Sequence, residues 1–154
     1  VGALLIESIE VRPSEIEALV RVTEERFMRT SGHPDLAEKA LHLMPDLARH
    51  RCENNAGLPV YEELADTETP HLLEHIAMEI MVMTGSPRTL KGDTSWDFSA
   101  DGRGVFRVHI GYDNDLVALG ALRLGVEVVD WLMGEGARPE LYLRTARLRA
   151  IRRG

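Results

Sequence analysis

Apolar and polar residues alternate late in the run ALLIESIEV, residues 3–11, and that period of two predicts a first strand closed by Pro13 and Ser14. The pattern then changes. Ile16, Leu19, Val20, Val22 and Phe27 fall mainly on one side of a helical wheel, and Ser14 followed by Glu17 has the form of a capping box. A first helix is expected over EIEALVRVTEERFMRT, broken by SGHP at 31–34. Asp35 is placed to cap a second helix, LAEKALHLM, which Pro45 interrupts before DLARHRC. ENNAGLP, residues 53–59, reads as a loop, and VYEELAD fits a strand or a short helix. Thr69 and Pro70 form a cap followed by a first-turn proline, and the helix PHLLEHIAMEIMVMT runs from them to Gly85. That helix is apolar nearly all round, so it is buried on most sides, and its few polar residues carry the information.

Two strand-like runs, RTLKGDTSWDFS and GVFRVHIGYD, flank ADGRG, where Asp101-Gly102 marks a tight connection; they predict a β-hairpin. Asp113, Asn114 and Asp115 offer caps for the long helix LVALGALRLGVEVVDWLM, which ends at Gly134, and Pro139 opens a last helix. The order β-α-α-α-β-β-α-α gives an α+β fold, with helices packed on a small, mostly antiparallel sheet. Residues 1–134 are expected to form one domain and residues 135–154 an arginine-rich C-terminal helix.

Charge refines this picture. The chain carries 18 basic and 25 acidic residues, but the tail RPELYLRTARLRAIRRG holds six arginines and one glutamate. The remainder is therefore near −12. Such a body disfavours nucleic acid and suits a metal or an arginine-bearing ligand. No apolar run reaches the roughly 18 residues that span a bilayer, so no membrane partner is expected. The single Cys52 cannot form an internal disulfide, which agrees with a cytoplasmic location.

The chemistry is concentrated in HLLEH, residues 71–75. One helical turn separates His71 from His75, so both imidazoles can reach one ion, zinc or another divalent metal. Glu74 flanks the same face and is placed to take a proton from an attacking water. The order His-x-x-Glu-His is that of an inverted zincin. A polar stripe on a buried helix explains the same residues without a metal. A catalytic zinc takes three protein ligands, and the third is open here: HRCE offers His50, Cys52 and Glu53, and Glu127 is a carboxylate in the next long helix. Glu79 continues the four-residue series but lies two turns beyond His71, which suits a position behind the ligands. His33, His42 and His109 are isolated. Arg103 and Arg107 can each meet a carboxylate.

MPDLARHRCENNAG, HLLEHIAMEIMVMTG and GVFRVHIGYDNDLVALGALRLGVEVV stand in the order and spacing of the N-terminal domain of cyanophycin synthetases, which the chain resembles over most of residues 3–133. The matching positions are His50 and Cys52; His71, Glu74, His75, Ala77 and Glu79; and Gly104, Val105 and Phe106. The resemblance implies an α+β domain that engages an aspartate polymer bearing arginine side chains. In some members that domain is similar to metallopeptidases and cuts the polymer. Carried over, His71 and His75 would be metal ligands, Glu74 the base, and His50 and Cys52 their neighbours. The sequence departs from the pattern where a glycine-rich run is reduced to NNAGLPV and where Pro70 replaces a glycine. The ATP-dependent ligase domains have no counterpart in these 154 residues, so a complete synthetase is not expected.

Three functions compete on these grounds. The first is a metal-dependent hydrolase of amides or peptides. The second is a non-catalytic module that binds an Arg/Asp-containing peptide, a polymer or a partner enzyme. The third is an assembly subunit that forms a homo-oligomer through the C-terminal helix.

Overall fold

The computed structural model describes residues 2–50 and 59–154. Cys52, Glu53 and most of the predicted loop 53–59 lie outside the described residues.

Two strands open the chain, β1 (Leu4–Val11) and β2 (Glu15–Val22), paired antiparallel across a turn at Arg12–Ser14. β2 replaces the helix that the sequence predicts from Ser14. Ile16, Ala18, Val20 and Val22 are buried and the residues between them are not, a period of two that β-branched side chains favour. Ile16, Leu19 and Val20 satisfy both periods, and tertiary pairing decides for the strand. Ser14 caps no helix: its carbonyl accepts from the Tyr112 N–H at 3.1 Å.

Helices α1 (Leu36–Leu43), α2 (Val60–Ala65) and α3 (Thr69–Met83) follow, with a short 3₁₀ turn over Pro45–Arg49 where Pro45 breaks the chain. α3 starts one residue earlier than predicted, with Glu68 at the N-cap position but no side-chain capping bond, and the Thr69 hydroxyl donates to the Phe27 carbonyl. The predicted hairpin is present as β3 (Gly92–Trp96) and β4 (Val105–Gly111). Its connection is longer than a tight turn, because Asp97 accepts from the Ala100 N–H at 3.2 Å and caps a one-turn helix, α4 (Phe98–Asp101). α5 (Asp115–Leu132) starts where Asn114 accepts from the Val117 N–H at 3.0 Å, and α6 (Leu141–Arg152) closes the chain.

The result is α+β, with one antiparallel sheet in the order β1-β2-β4-β3. Ile16, Ala18 and Val20 from β2, and Phe106, Val108 and Ile110 from β4, bury one sheet face under α3 and α5. The other face carries Glu17, Arg21, Arg107 and His109. α3 and α5 pack closely at Gly125, where an added Cβ would stand 2.9 Å from Leu73 Cδ1. Gly125→Leu is expected to lose about 1–3 kcal/mol by wedging these helices apart. Gly125→Ala should cost less, since the Leu73 tip can move and alanine favours the helix. Denaturant midpoints of the two variants check this.

α6 braces the far end of α3. Arg149 Nη1 donates to the Met83 carbonyl and Arg152 Nε to the Thr84 carbonyl, both at 2.8 Å, which satisfies acceptors that the helix end leaves open. Arg152 also bonds Ser86 Oγ at 2.7 Å and pairs with Asp113 at 2.6 Å. Among the described residues no helix is long and apolar enough to cross a membrane.

Candidate metal centre

Pro70 in the first turn and the buried apolar residues Leu72, Leu73, Ile76, Ala77, Ile80 and Met81 fix α3 against the sheet, and this turns His71, Glu74 and His75 to the wall of a cleft of about 850 Å³. The opposite wall is residues 87–94 with Trp96, which includes most of β3. One donor atom from each of His71, Glu74 and His75 lies within 4.8 Å of the other two. Among the described residues this is the group that can hold an ion.

The imidazoles are oriented from behind. His75 Nδ1 lies 2.9 Å from His50 Nδ1, and His50 Nε2 lies 2.8 Å from Glu79 Oε1. Glu79 also receives two hydrogen bonds from Arg88, at 2.8 and 3.3 Å. A carboxylate only accepts, so His50 donates from Nε2 and accepts at Nδ1 from the Nδ1–H of His75. That tautomer leaves a lone pair on His75 Nε2. At His71, Thr67 Oγ1 donates to Glu68 at 3.2 Å and stands 2.9 Å from Nδ1, and Glu63 Oε1 is 3.9 Å from the same nitrogen. These acceptors place the proton of His71 on Nδ1 and its lone pair on Nε2. The two Nε2 atoms are 3.1 Å apart. Two ligands of one tetrahedral zinc stand about 3.3 Å apart, from bond lengths of about 2.0–2.1 Å. The spacing, the tautomers and the carboxylate chain behind them fit a divalent ion, and zinc suits the two imidazoles.

Glu74 sits on the β3 side. Thr94 Oγ1 donates to Glu74 Oε1 at 2.7 Å. Gly92 leaves room for the carboxylate, because a Cβ there would lie 2.8 Å from Glu74 Oε2. Burial raises the Glu74 carboxyl to about 7, with the Thr94 hydrogen bond opposing it and Asp93 adding to it. Burial, then His71 and then His50, press His75 down to about 3. Burial also lowers His71, against the pull of Glu63, Glu68 and Asp93. Burial alone would raise Glu79, but the hydrogen bonds from His50 and Arg88 outweigh it and hold that carboxyl below its ordinary value.

These shifts set the pH dependence of metal uptake. Two unshifted histidines would lose roughly tenfold in joint zinc affinity between pH 7 and pH 6, as protons compete for them. His75, pressed down to about 3, is already neutral there, and His71, lowered by burial, contributes less than an ordinary histidine. A carboxylate ligand titrating near 7 would add a loss of about fivefold. With Glu74 as base rather than ligand, zinc affinity measured against a competing chelator should fall by less than about threefold across this interval, the loss of one ordinary histidine. A fivefold fall at pH 6 would place Glu74 on the ion.

The predicted site residues separate into three groups. His71, Glu74 and His75 converge. His50 stands one layer back, with both ring nitrogens spent on His75 and Glu79, so it orients a ligand and does not face the same ion. Glu79 lies beside it, where its distance from His71 along the helix predicts. Glu127 is elsewhere: its carboxylate pairs with Arg144 at 3.0 and 2.6 Å, on the side of α5 that faces β1 and α6. Gly125 meets α3, and two residues turn the helix by about 200°, so Glu127 points the opposite way. Of the other residues singled out, His109 bonds Glu17 at 2.6 Å, Arg107 bonds Asp101 at 2.7 and 2.9 Å, and Arg103 bonds Glu25 at 2.9 Å. Sequence reasoning misses Thr67, Glu63, Arg88, Gly92 and Thr94. Only Gly92, a glycine inside a strand, carries a local sign of close approach.

No curated protein matches the chain. The family described as the cyanophycin synthase-like N-terminal domain matches residues 18–134, a span that contains His50, all of α3 and both strands of the hairpin, and excludes β1 and α6. The chain belongs to the cyanophycin synthase-like N-terminal domain family.

Proposed function

We propose that this domain is a metal-dependent hydrolase of amide or peptide bonds. The observation that supports it is the convergence of His71 Nε2, His75 Nε2 and the Glu74 carboxyl on the wall of an open cleft. His71 and His75 would hold the ion, zinc in the first instance, with no third described residue beside them when Glu74 serves as base, and the bound ion would supply Lewis acidity toward a substrate carbonyl. Glu74 takes a proton from the attacking water as the new C–O bond forms, and returns it to the leaving nitrogen as the C–N bond breaks. In the metal-free domain burial holds the Glu74 carboxyl near 7, and the same burial helps it keep the proton between the two transfers. The acidic body favours an arginine-bearing substrate, and the lone Cys52 favours a cytoplasmic setting.

A binding module without turnover is the second reading. It is favoured by the chain His75–His50–Glu79–Arg88, which His71 joins by a hydrogen bond once its proton stands on Nε2 and Thr67 Oγ1 donates to Nδ1, the tautomer that a metal would displace. A library of capped peptides, incubated with zinc-loaded protein and followed by mass spectrometry, separates the two. The hydrolase reading expects cleavage that a chelator stops and added zinc restores. Uncut peptides that still bind would support the module.

A further inference from the structure

β3 is an edge strand, since it pairs with β4 alone. Its pairing alternates. The Gly111 N–H donates to the Lys91 carbonyl at 2.8 Å, which makes those two a hydrogen-bonded pair. In an antiparallel ladder every second opposed pair is of this kind. Asp93 and Ser95 therefore spend their main-chain groups on His109 and Arg107, while Gly92, Thr94 and Trp96 turn theirs away from β4. The far side of β4 agrees. Tyr112 N–H donates to Ser14 and Val22 N–H to Gly104, so Ile110, Val108 and Phe106 bond to β2 and not to β3. No described strand pairs with the outward groups of Gly92, Thr94 and Trp96.

These outward groups border the site. Gly92, Thr94 and Trp96 line the same cleft as His71, Glu74 and His75. Thr94 holds the Glu74 carboxyl, and Gly92 lies against it with no side chain between. A glycine inside a strand often marks the place where another backbone comes close. At the far end Trp96 is half-exposed, with its ring 5.5 Å from that of Phe106 and 6.4 Å from that of Phe98, an aromatic surface beside the open edge. Exposed edges are ordinarily blocked by a charge turned inward, a proline or a bulge. None of these interrupts β3 between Gly92 and Trp96.

We infer that β3 is the docking strand for an extended polypeptide substrate. The substrate main chain adds to the sheet as a fifth strand, bonds to the outward groups of Gly92, Thr94 and Trp96, and presents one of its amides to Glu74. This rests on the hydrolase reading and deepens it. The substrate class is an unbranched chain that can lie extended over about five residues, rather than a small amide or a folded loop. Main-chain bonds give affinity in this mode, and alternate side chains of the bound strand point to opposite sides, so sequence preference is set at every second position.

The test uses Glu74→Gln protein, zinc-loaded so that bound peptide survives, with a library of capped peptides of about ten residues. A second library carries N-methyl groups on every amide and cannot pair as a strand. Amide hydrogen exchange is read by nuclear magnetic resonance. In the free protein the Asp93 and Ser95 amides should be protected and those of Gly92, Thr94 and Trp96 open. With the first library the open three should slow by about tenfold or more, while the methylated library changes none of them. Cleavage of the first library by wild-type protein, with no added protection at the three amides in the variant, would overturn the docking strand and leave the hydrolase reading standing. Neither protection nor cleavage, in protein shown to hold zinc, would overturn both the docking strand and a peptide substrate while leaving the metal site intact.

Discussion

Glu74→Gln is expected to lower peptide turnover by about a hundred- to ten-thousand-fold while zinc content stays that of the wild type. Glutamine keeps the shape, and its oxygen can still accept from the Thr94 hydroxyl that holds Glu74 at 2.7 Å. Only the capacity to take a proton is removed. The loss should therefore fall on kcat, with KM nearly unchanged, because a group used in proton transfer contributes mainly to the transition state. The two imidazoles keep their tautomers, since these are set by Thr67 and by the His50–Glu79 chain and not by Glu74. Zinc lost along with turnover would mean that Glu74 is a ligand. Zinc and turnover both retained would remove Glu74 from the chemistry. Steady-state kinetics beside elemental analysis of the same preparation distinguishes these outcomes.

Glu79→Ala should act from behind the site and show two effects together. The carboxylate is 2% exposed and accepts from His50 and twice from Arg88. Its removal leaves His50 Nε2 without its acceptor and Arg88 without its counter-charge. Losing one partner of a buried pair costs about 3–5 kcal/mol, and the lower end applies because Arg88 can turn to water. His50 then no longer fixes the tautomer of His75, and zinc affinity should fall by about ten- to a hundredfold. The carboxyl of Glu79 is held below its ordinary value in the folded chain. Its stabilisation is therefore present above the unfolded carboxylate range and is lost as pH falls through the lower folded value. The stability gap between wild type and variant should persist from neutral pH into mild acid and close only below that range. Equal stability with unchanged zinc affinity would mean that the chain behind His75 is ornamental.

Much of the site could be read from HLLEH because a helix converts a spacing of four into a shared face, and Pro70 and Gly85 mark where that helix starts and stops. Its surroundings could not. Thr94 and Gly92 reach Glu74 only because β3 folds against α3, and no local pattern encodes that approach. His50 and His75 are separated by 25 residues and meet through tertiary packing. The resemblance to cyanophycin synthetases placed His50 near the histidines but not behind them. Glu127 looked like a later-helix ligand because an isolated carboxylate in an apolar run is conspicuous. The face that it takes is fixed by Gly125 against α3, a contact between distant segments. The fold class followed from the alternation in β1 and the hairpin, while β2 was hidden by apolar residues that serve a period of two and of nearly four alike. α6 was legible as a helix, but its arginines on the last carbonyls of α3 were not, since those carbonyls belong to a segment more than sixty residues away.

Metal content of the untagged protein, measured by elemental mass spectrometry for wild type beside His75→Ala, tests the central claim most directly. About one zinc per chain in the wild type and almost none in the variant is the predicted result. No metal in either protein, even after incubation with zinc and gel filtration, would make HLLEH a hydrogen-bonded polar seam on a buried helix and would contradict the account.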